Sequence, residues 1–133
     1  MKPLLKISNL SINFQVRKSQ FCAVKNLNLV IEENQIAGLV GESGSGKSVT
    51  AMSIMRLLPE QKASYGEQSS IEFDGQEILN SNHKSLRKIR GNKISMIFQE
   101  PMTSLNPFHK VGDQIVESIL LHKKQPKSNA ILE

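Results

Sequence analysis

One octapeptide limits what this chain can fold into more than any other feature. Residues 41–48 read GESGSGKS. They satisfy the pattern of a glycine, four free positions, then Gly-Lys-Ser. The run before them, IAGLVG at 36–41, is apolar without alternation, which is how a strand buried on both faces reads. The stretch after them, KSVTAMSIMRLLP at 47–59, has the length and apolar content of a helix of about three turns, closed by Pro59. A strand, this loop and a helix in that order form a phosphate cradle. Glycines let backbone N–H groups converge on phosphate oxygens with no side chain in the way. The helix adds its N-terminal amides and the positive end of its dipole. Lys47 is then placed to bridge β and γ phosphates, and the Ser48 hydroxyl to ligate Mg²⁺. Gly41, Glu42, Ser43, Gly44, Ser45, Gly46, Lys47, Ser48 and Val49 are the candidate nucleotide contacts. A plain Gly/Ser linker would need neither the Lys-Ser pair nor the apolar run before it.

The remainder alternates between strand-like and helix-like text. Residues 4–14 and 22–32 read as strands, the second through Val24, Leu27, Leu29 and Ile31. In 47–59, Thr50, Ser53 and Arg56 form one narrow polar stripe, and the other faces are expected to be buried. Residues 60–69 read as a loop. Asp74-Gly75 sits between two short strand-like segments and signals a hairpin. KSLRKIR at 84–90 reads as a helix stopped by Gly91-Asn92. KISMIF at 93–98 is a second buried-type strand, and 99–107 holds two prolines and must be a loop. Residues 111–123 place Val111, Ile115, Val116, Ile119 and Leu120 on one helical face. Pro126 is expected to end that helix, and the last seven residues to begin another. The result is an α/β arrangement with an antiparallel hairpin inserted in it.

With 133 residues the chain has room for one domain at most. The net charge is +5. Its lysines and arginines are scattered, and the densest groups, 84–93 and 123–127, have no interleaved aromatics, so a solvated surface is expected and no nucleic-acid partner. A single cysteine, Cys22, excludes an internal disulfide and suits a reducing compartment. MKPLLKISNL is too broken by Lys6, Ser8 and Asn9 for a signal peptide, and no run nears the ~18 apolar residues of a membrane span. A cytoplasmic or membrane-peripheral protein is expected.

GLVGESGSGKSVTAMSIMRLLP and ISMIFQEPMTSLNPFHKVGDQIVE together resemble the nucleotide-binding subunit of ABC transporters, most nearly the group that imports oligopeptides and dipeptides and the type with two cassettes fused in one chain. FQEPMTSLNP is the more diagnostic piece. LLKISNLSINF and AVKNLNLVI also fit the family's first two strands. The resemblance covers nearly the whole chain but only about the first half of one cassette. It implies a partial P-loop NTPase (RecA-like) core with an antiparallel β subdomain. The β part would be 1–35 and 69–80 and the P-loop core 36–59 and 93–98. Residues 99–133 would carry the Q-loop and begin the helical subdomain. Gln99 would be the Q-loop glutamine, reaching Mg²⁺ and the attacking water. Phe14 would stack on adenine, with Phe21 as a second candidate and a core role open for either. Met102, Leu105 and Phe108 would touch a membrane subunit or pack within a buried loop. ATP and Mg²⁺ would be the ligands. The partners would be transmembrane permease subunits, a second ATP-binding cassette and, indirectly, a peptide-binding protein, on the inner face of the cell membrane.

The chain departs from that family in ways its residues display. Beyond Gln99 it has one glycine, Gly112, where an LSGGQ signature needs a pair. Its two aspartates, Asp74 and Asp113, lack the four apolar residues before and the glutamate after that a Walker B strand carries. None of His83, His109 and His122 has a switch-histidine context. Without the Walker B pair, Mg²⁺ loses part of its hold and no base polarises water. A truncated cassette is expected, one that does not hydrolyse ATP unaided and leaves an apolar strand edge open. The alternatives are an inactive fragment, binding nucleotide weakly or not at all, and a different P-loop enzyme such as a small kinase, for which no acceptor site or lid arginine pair is visible.

Overall fold

Both alternating stretches become strands in the computed structural model, which describes residues 3–17, 19–99 and 104–132. They are β1 (Leu5–Val16) and β2 (Ser19–Ile31), paired antiparallel as a long ribbon. Where length suggests one domain, the chain forms two compact units, Met1–Asn82 and His83–Glu133.

In the first unit β1 is the central strand. β2 lies along one side of it. The other side is shared by β3 (Ala63–Tyr65) and β4 (Ser70–Phe73). β5 (Gln76–Glu77) extends the sheet beyond β4, giving the order β2-β1-β4-β5. The β4–β5 turn is the expected one: Asp74 and Gly75 have φ of 50° and 73°, both positive as a type I′ turn demands. The supposed loop at 60–69 contains β3, three residues too short to show alternation. Ile7, Leu10, Ile12 and Ile71 are essentially without solvent contact, and Ile78 and Leu79 are buried as well. Burying such side chains is worth roughly 1.5–3 kcal/mol each, so this sheet face holds the unit together.

The helix after the phosphate loop, α1 (Lys47–Ile54), has eight residues instead of three turns. Arg56 takes φ 49° just past its end, its N–H bonding the Ser53 carbonyl (2.8 Å) and that of Leu57 the Met52 carbonyl (2.9 Å). This paired closure stops a helix even without glycine. The polar stripe is also reversed from expectation. Thr50 and Ser53 are the buried residues of α1, which packs against β2. The Ser53 hydroxyl donates to the Val49 carbonyl (2.8 Å), so it needs no water and fits where a larger side chain would not.

The two runs expected as doubly buried strands, 36–41 and 93–98, form none. Ile36 and Val40 are 100% and 91% exposed, and Ile97 is 93% exposed. Such a run becomes a strand only with hydrogen-bonding neighbours. Among the described residues no strand pairs with either, and the one bridge here joins Arg90 to Ile94.

The second unit holds three helices, α2 (His83–Ile89), α3 (Val111–His122) and α4 (Lys127–Ala130). Gly91, with φ 76°, follows α2 as expected, and a Cβ there would meet His122 Nε2 at 2.9 Å. Of the apolar face read on α3 only Val116 is buried; Val111 and Ile115 are exposed. α3 stops at His122 without Pro126, which instead caps the start of α4. Buried apolar residues here are few: Leu86, Ile89, Val116 and Ala130.

Candidate phosphate-binding site

Gly41–Ser48 forms an exposed loop that turns into α1. Ser45 N–H bonds the Glu42 carbonyl (3.2 Å), and Gly44 and Gly46 take φ of 80° and 88°. Gly46 is the tightest position. A Cβ there would lie 2.6 Å from the Ala23 carbonyl oxygen and 2.9 Å from a Val24 methyl, so backbone of β2 rests directly on the loop. Gly41 is looser, since the atom its Cβ would meet most closely is the rotatable Ser45 hydroxyl (2.6 Å), with Ser45 Cβ next at 3.3 Å. The first helical bond runs from Thr50 N–H to the Gly46 carbonyl (2.8 Å). The amides of Lys47, Ser48 and Val49 therefore fall in the first turn, which has no intrahelical acceptors.

Lys47 folds back over this loop. Its ammonium donates to the carbonyls of Gly41 (2.7 Å) and Glu42 (2.6 Å) and to Ser45 Oγ (3.2 Å). A cation on a flexible stem thus stands at the centre of the ring of loop atoms, where an anion bound to the loop amides would also lie. Ser48 is exposed beside it. An exposed hydroxyl at the start of the helix fits one Mg²⁺ ligand. Asp74 lies in the hairpin turn, and Asp113 pairs with Lys127 (3.7 Å), so neither supplies the carboxylate expected of a Walker B strand.

Over the loop stands the tip of the β1–β2 ribbon, and three register irregularities aim it. Asn9 is the extra residue of β1 between Ile7 and Leu10, with φ 48°. Asn26 lies in the extra residues of β2 between Leu27 and Val24, with φ 51°. Ser11 ties the second bulge, donating to Asn26 Oδ1 (3.1 Å) and accepting from Asn26 N–H (3.0 Å). The third lies between the Ile12–Val24 and Asn13–Cys22 pairs, where Ala23 is unmatched. Residues three apart on a regular strand face opposite ways; the unmatched Ala23 returns Phe21 to the face of Val24. Phe14 and Phe21 are then direct cross-strand partners. Both line one hollow of about 210 Å³ with Ala23 and Gly44 through Val49. Neither belongs to the buried core, Phe21 being 58% exposed, so the core role left open for them is excluded.

Gln99 is exposed in a bend of the second unit. Leu105 and Phe108 are exposed there too, and Met102 lies outside the described residues. Ala23, whose carbonyl supports Gly46, was not among the sequence candidates. No residue type declares its bulge; the three-residue step from Val24 to Leu27 marks the neighbouring irregularity at Asn26.

The family model described as ABC transporter matches residues 24–133. This chain belongs to the ABC transporter family. It is 46% identical over its full length to the oligopeptide transport ATP-binding protein OppD of Haemophilus influenzae, spanning 40% of that protein. It is 44% identical over 98% of its length to OppD of Escherichia coli, spanning 38% of it. It is 47% identical over 92% of its length to the peptidoglycan transport ATP-binding protein YejF of Agrobacterium fabrum, spanning 22% of it. This ABC-family chain therefore spans two fifths or less of these relatives. Its fold is that of a solved ATP-binding cassette, MJ0796, in a post-hydrolysis dimer with ADP and phosphate. That likeness has a TM-score of 0.76 at 22% identity, over 96% of this chain and 54% of the other. Among the described residues no helix is long and apolar enough to cross a membrane.

Proposed function

We propose that this chain is the nucleotide-binding portion of an ABC-type peptide import subunit. It takes ATP at Gly41–Val49, with Phe14 against the base. The observation that carries the reading is the shared hollow: an aromatic ribbon tip and the phosphate loop line one concavity. The relatives' names support peptide uptake as the process served. On this reading the partners are transmembrane permease subunits and a second cassette, with a peptide-binding protein acting through the permease, at the inner face of the cell membrane.

The residues divide the work by their chemistry. The amides of Lys47, Ser48 and Val49 face the phosphates at the positive end of α1. Lys47 exchanges its contacts with the Gly41 and Glu42 carbonyls for phosphate oxygens, so the loop's net gain is the difference between two charge-assisted sets of bonds. Mg²⁺, when bound, would neutralise phosphate charge from the Ser48 hydroxyl and, by family resemblance, Gln99.

The second reading, binding without turnover, is favoured for this chain alone by the placement of Asp74 in a turn and of Asp113 against Lys127. Titration of the chain with ATP checks both. Binding is expected, weakened at least about tenfold by Lys47→Ala, since losing one charge-assisted partner costs roughly 1.5–3 kcal/mol. Phosphate release is expected at background. Turnover that disappears in Lys47→Ala would overturn the second reading, and no nucleotide binding at all would overturn the first.

A further inference from the structure

Taking the nucleotide reading as given, we propose that Phe21 is a second base-contacting ring. With Phe14 it would form a corner that selects purine nucleoside triphosphates by stacking, without reading the base edge. Three observations carry this. Phe14 and Phe21 are cross-strand partners, and both line the hollow that holds Gly44 through Val49. Side chains directly opposite on one sheet face stand ~5 Å apart at Cβ. That is too close to sandwich a base between two faces but right for one ring beneath it and the other against its edge. Phe21 is 58% exposed. An exposed phenylalanine on a strand tip gains little for the fold, and the bulge at Ala23 is what turns it toward the hollow.

The lining also states what the corner does not read. Its polar side chains are Ser45, Lys47 and Ser48, all within the phosphate loop. Among the described residues no polar side chain of the ribbon lines the hollow to meet a base's hydrogen-bonding edge. Recognition by ring faces tolerates different bases, because every base has a π-face. The hollow, about 210 Å³, is below the ~300 Å³ at which ligand pockets usually begin. It is a shelf for one ring system, and larger bases cover more of it.

The test titrates the full chain and its variants with ATP, GTP, UTP and inorganic tripolyphosphate. Tripolyphosphate reports the loop alone. Phe21→Ala is expected to weaken ATP binding about fivefold to tenfold and to leave tripolyphosphate within about twofold. Retained tripolyphosphate binding also shows that the variant is folded. Phe21→Tyr should keep the ATP affinity and Phe21→Leu should fall between. GTP should bind the unaltered chain within about threefold of ATP, and UTP more weakly, because stacking scales with ring area. Unchanged ATP binding in Phe21→Ala overturns the proposal while leaving the nucleotide reading intact. So does an equal loss for tripolyphosphate, or a strong preference for ATP over GTP. Failure of the unaltered chain to bind either ATP or tripolyphosphate removes the nucleotide reading itself.

Discussion

β1 and the run at 36–41 both draw on leucine, isoleucine and valine for their apolar side chains, yet they end differently. β1 has β2 on one side and β3 and β4 on the other, and Ile7 and Ile12 are 1% and 0% exposed. Among the described residues no strand pairs with Ile36 or Val40, and both stand almost wholly in solvent. The run at 36–41 is the more apolar of the two, with no polar side chain; what it lacks is neighbours. A strand is a property of a pairing, and an apolar run supplies only half of one.

Stability measurements can break that contrast. Ile12→Ala removes a fully buried side chain from the central strand and is expected to cost ~2–5 kcal/mol in denaturant unfolding of the chain. The matching change in the unpaired run, Val40→Ala, should stay within ~0.5 kcal/mol. Equal losses would show that 36–41 is packed in solution and would remove the contrast. The next largest effect belongs to the loop that joins the two regions. Gly46→Ala puts a methyl group against the Ala23 carbonyl at a left-handed φ, for a loss of ~1–3 kcal/mol. Gly38→Ala, with open space around it, should be close to neutral. If both glycines tolerate alanine equally, β2 does not support the loop as described. The smallest effect sharpens the account of β1 and β2 themselves. Asn26→Ala loses the Oδ1 that accepts from the Ser11 hydroxyl, keeps the backbone N–H bond to Ser11 Oγ and leaves alanine at φ 51°, for ~1 kcal/mol. Asn26→Gly should recover the backbone part of that loss; a loss as large as alanine's would assign the effect to the lost hydrogen bond alone.

Much of this was legible residue by residue. Gly41–Ser48 announced its loop, Asp74-Gly75 its turn and Gly91 the end of α2, because each feature depends on φ at one or two positions. The reversed stripe of α1 was not legible. Ser53 satisfies its own hydroxyl on the Val49 carbonyl, and only packing decides that a small polar face points inward. The choice between Phe14 and Phe21 was not legible either. Which way a strand residue points depends on counting alternations, and Asn9, Ala23 and Asn26 each disturb the count without any one residue type declaring it. The exposed face of α3 failed for a third reason. Its periodicity was read correctly, but periodicity names a face without naming what covers it.

The unmatched Ala23 also makes chain length, apart from residue identity, a carrier of information. Removing Ala23 would restore an unbroken ladder and leave Phe21 two residues from Val24, on the same face and still opposite Phe14. Removing Cys22 as well would set Phe21 beside Val24 and turn it to the far side of the ribbon. The first loss spares the orientation of the site and the second rewrites it, although Phe14, Phe21 and the phosphate loop stay encoded in both. Comparison by residue identity alone would register the two as one residue apart.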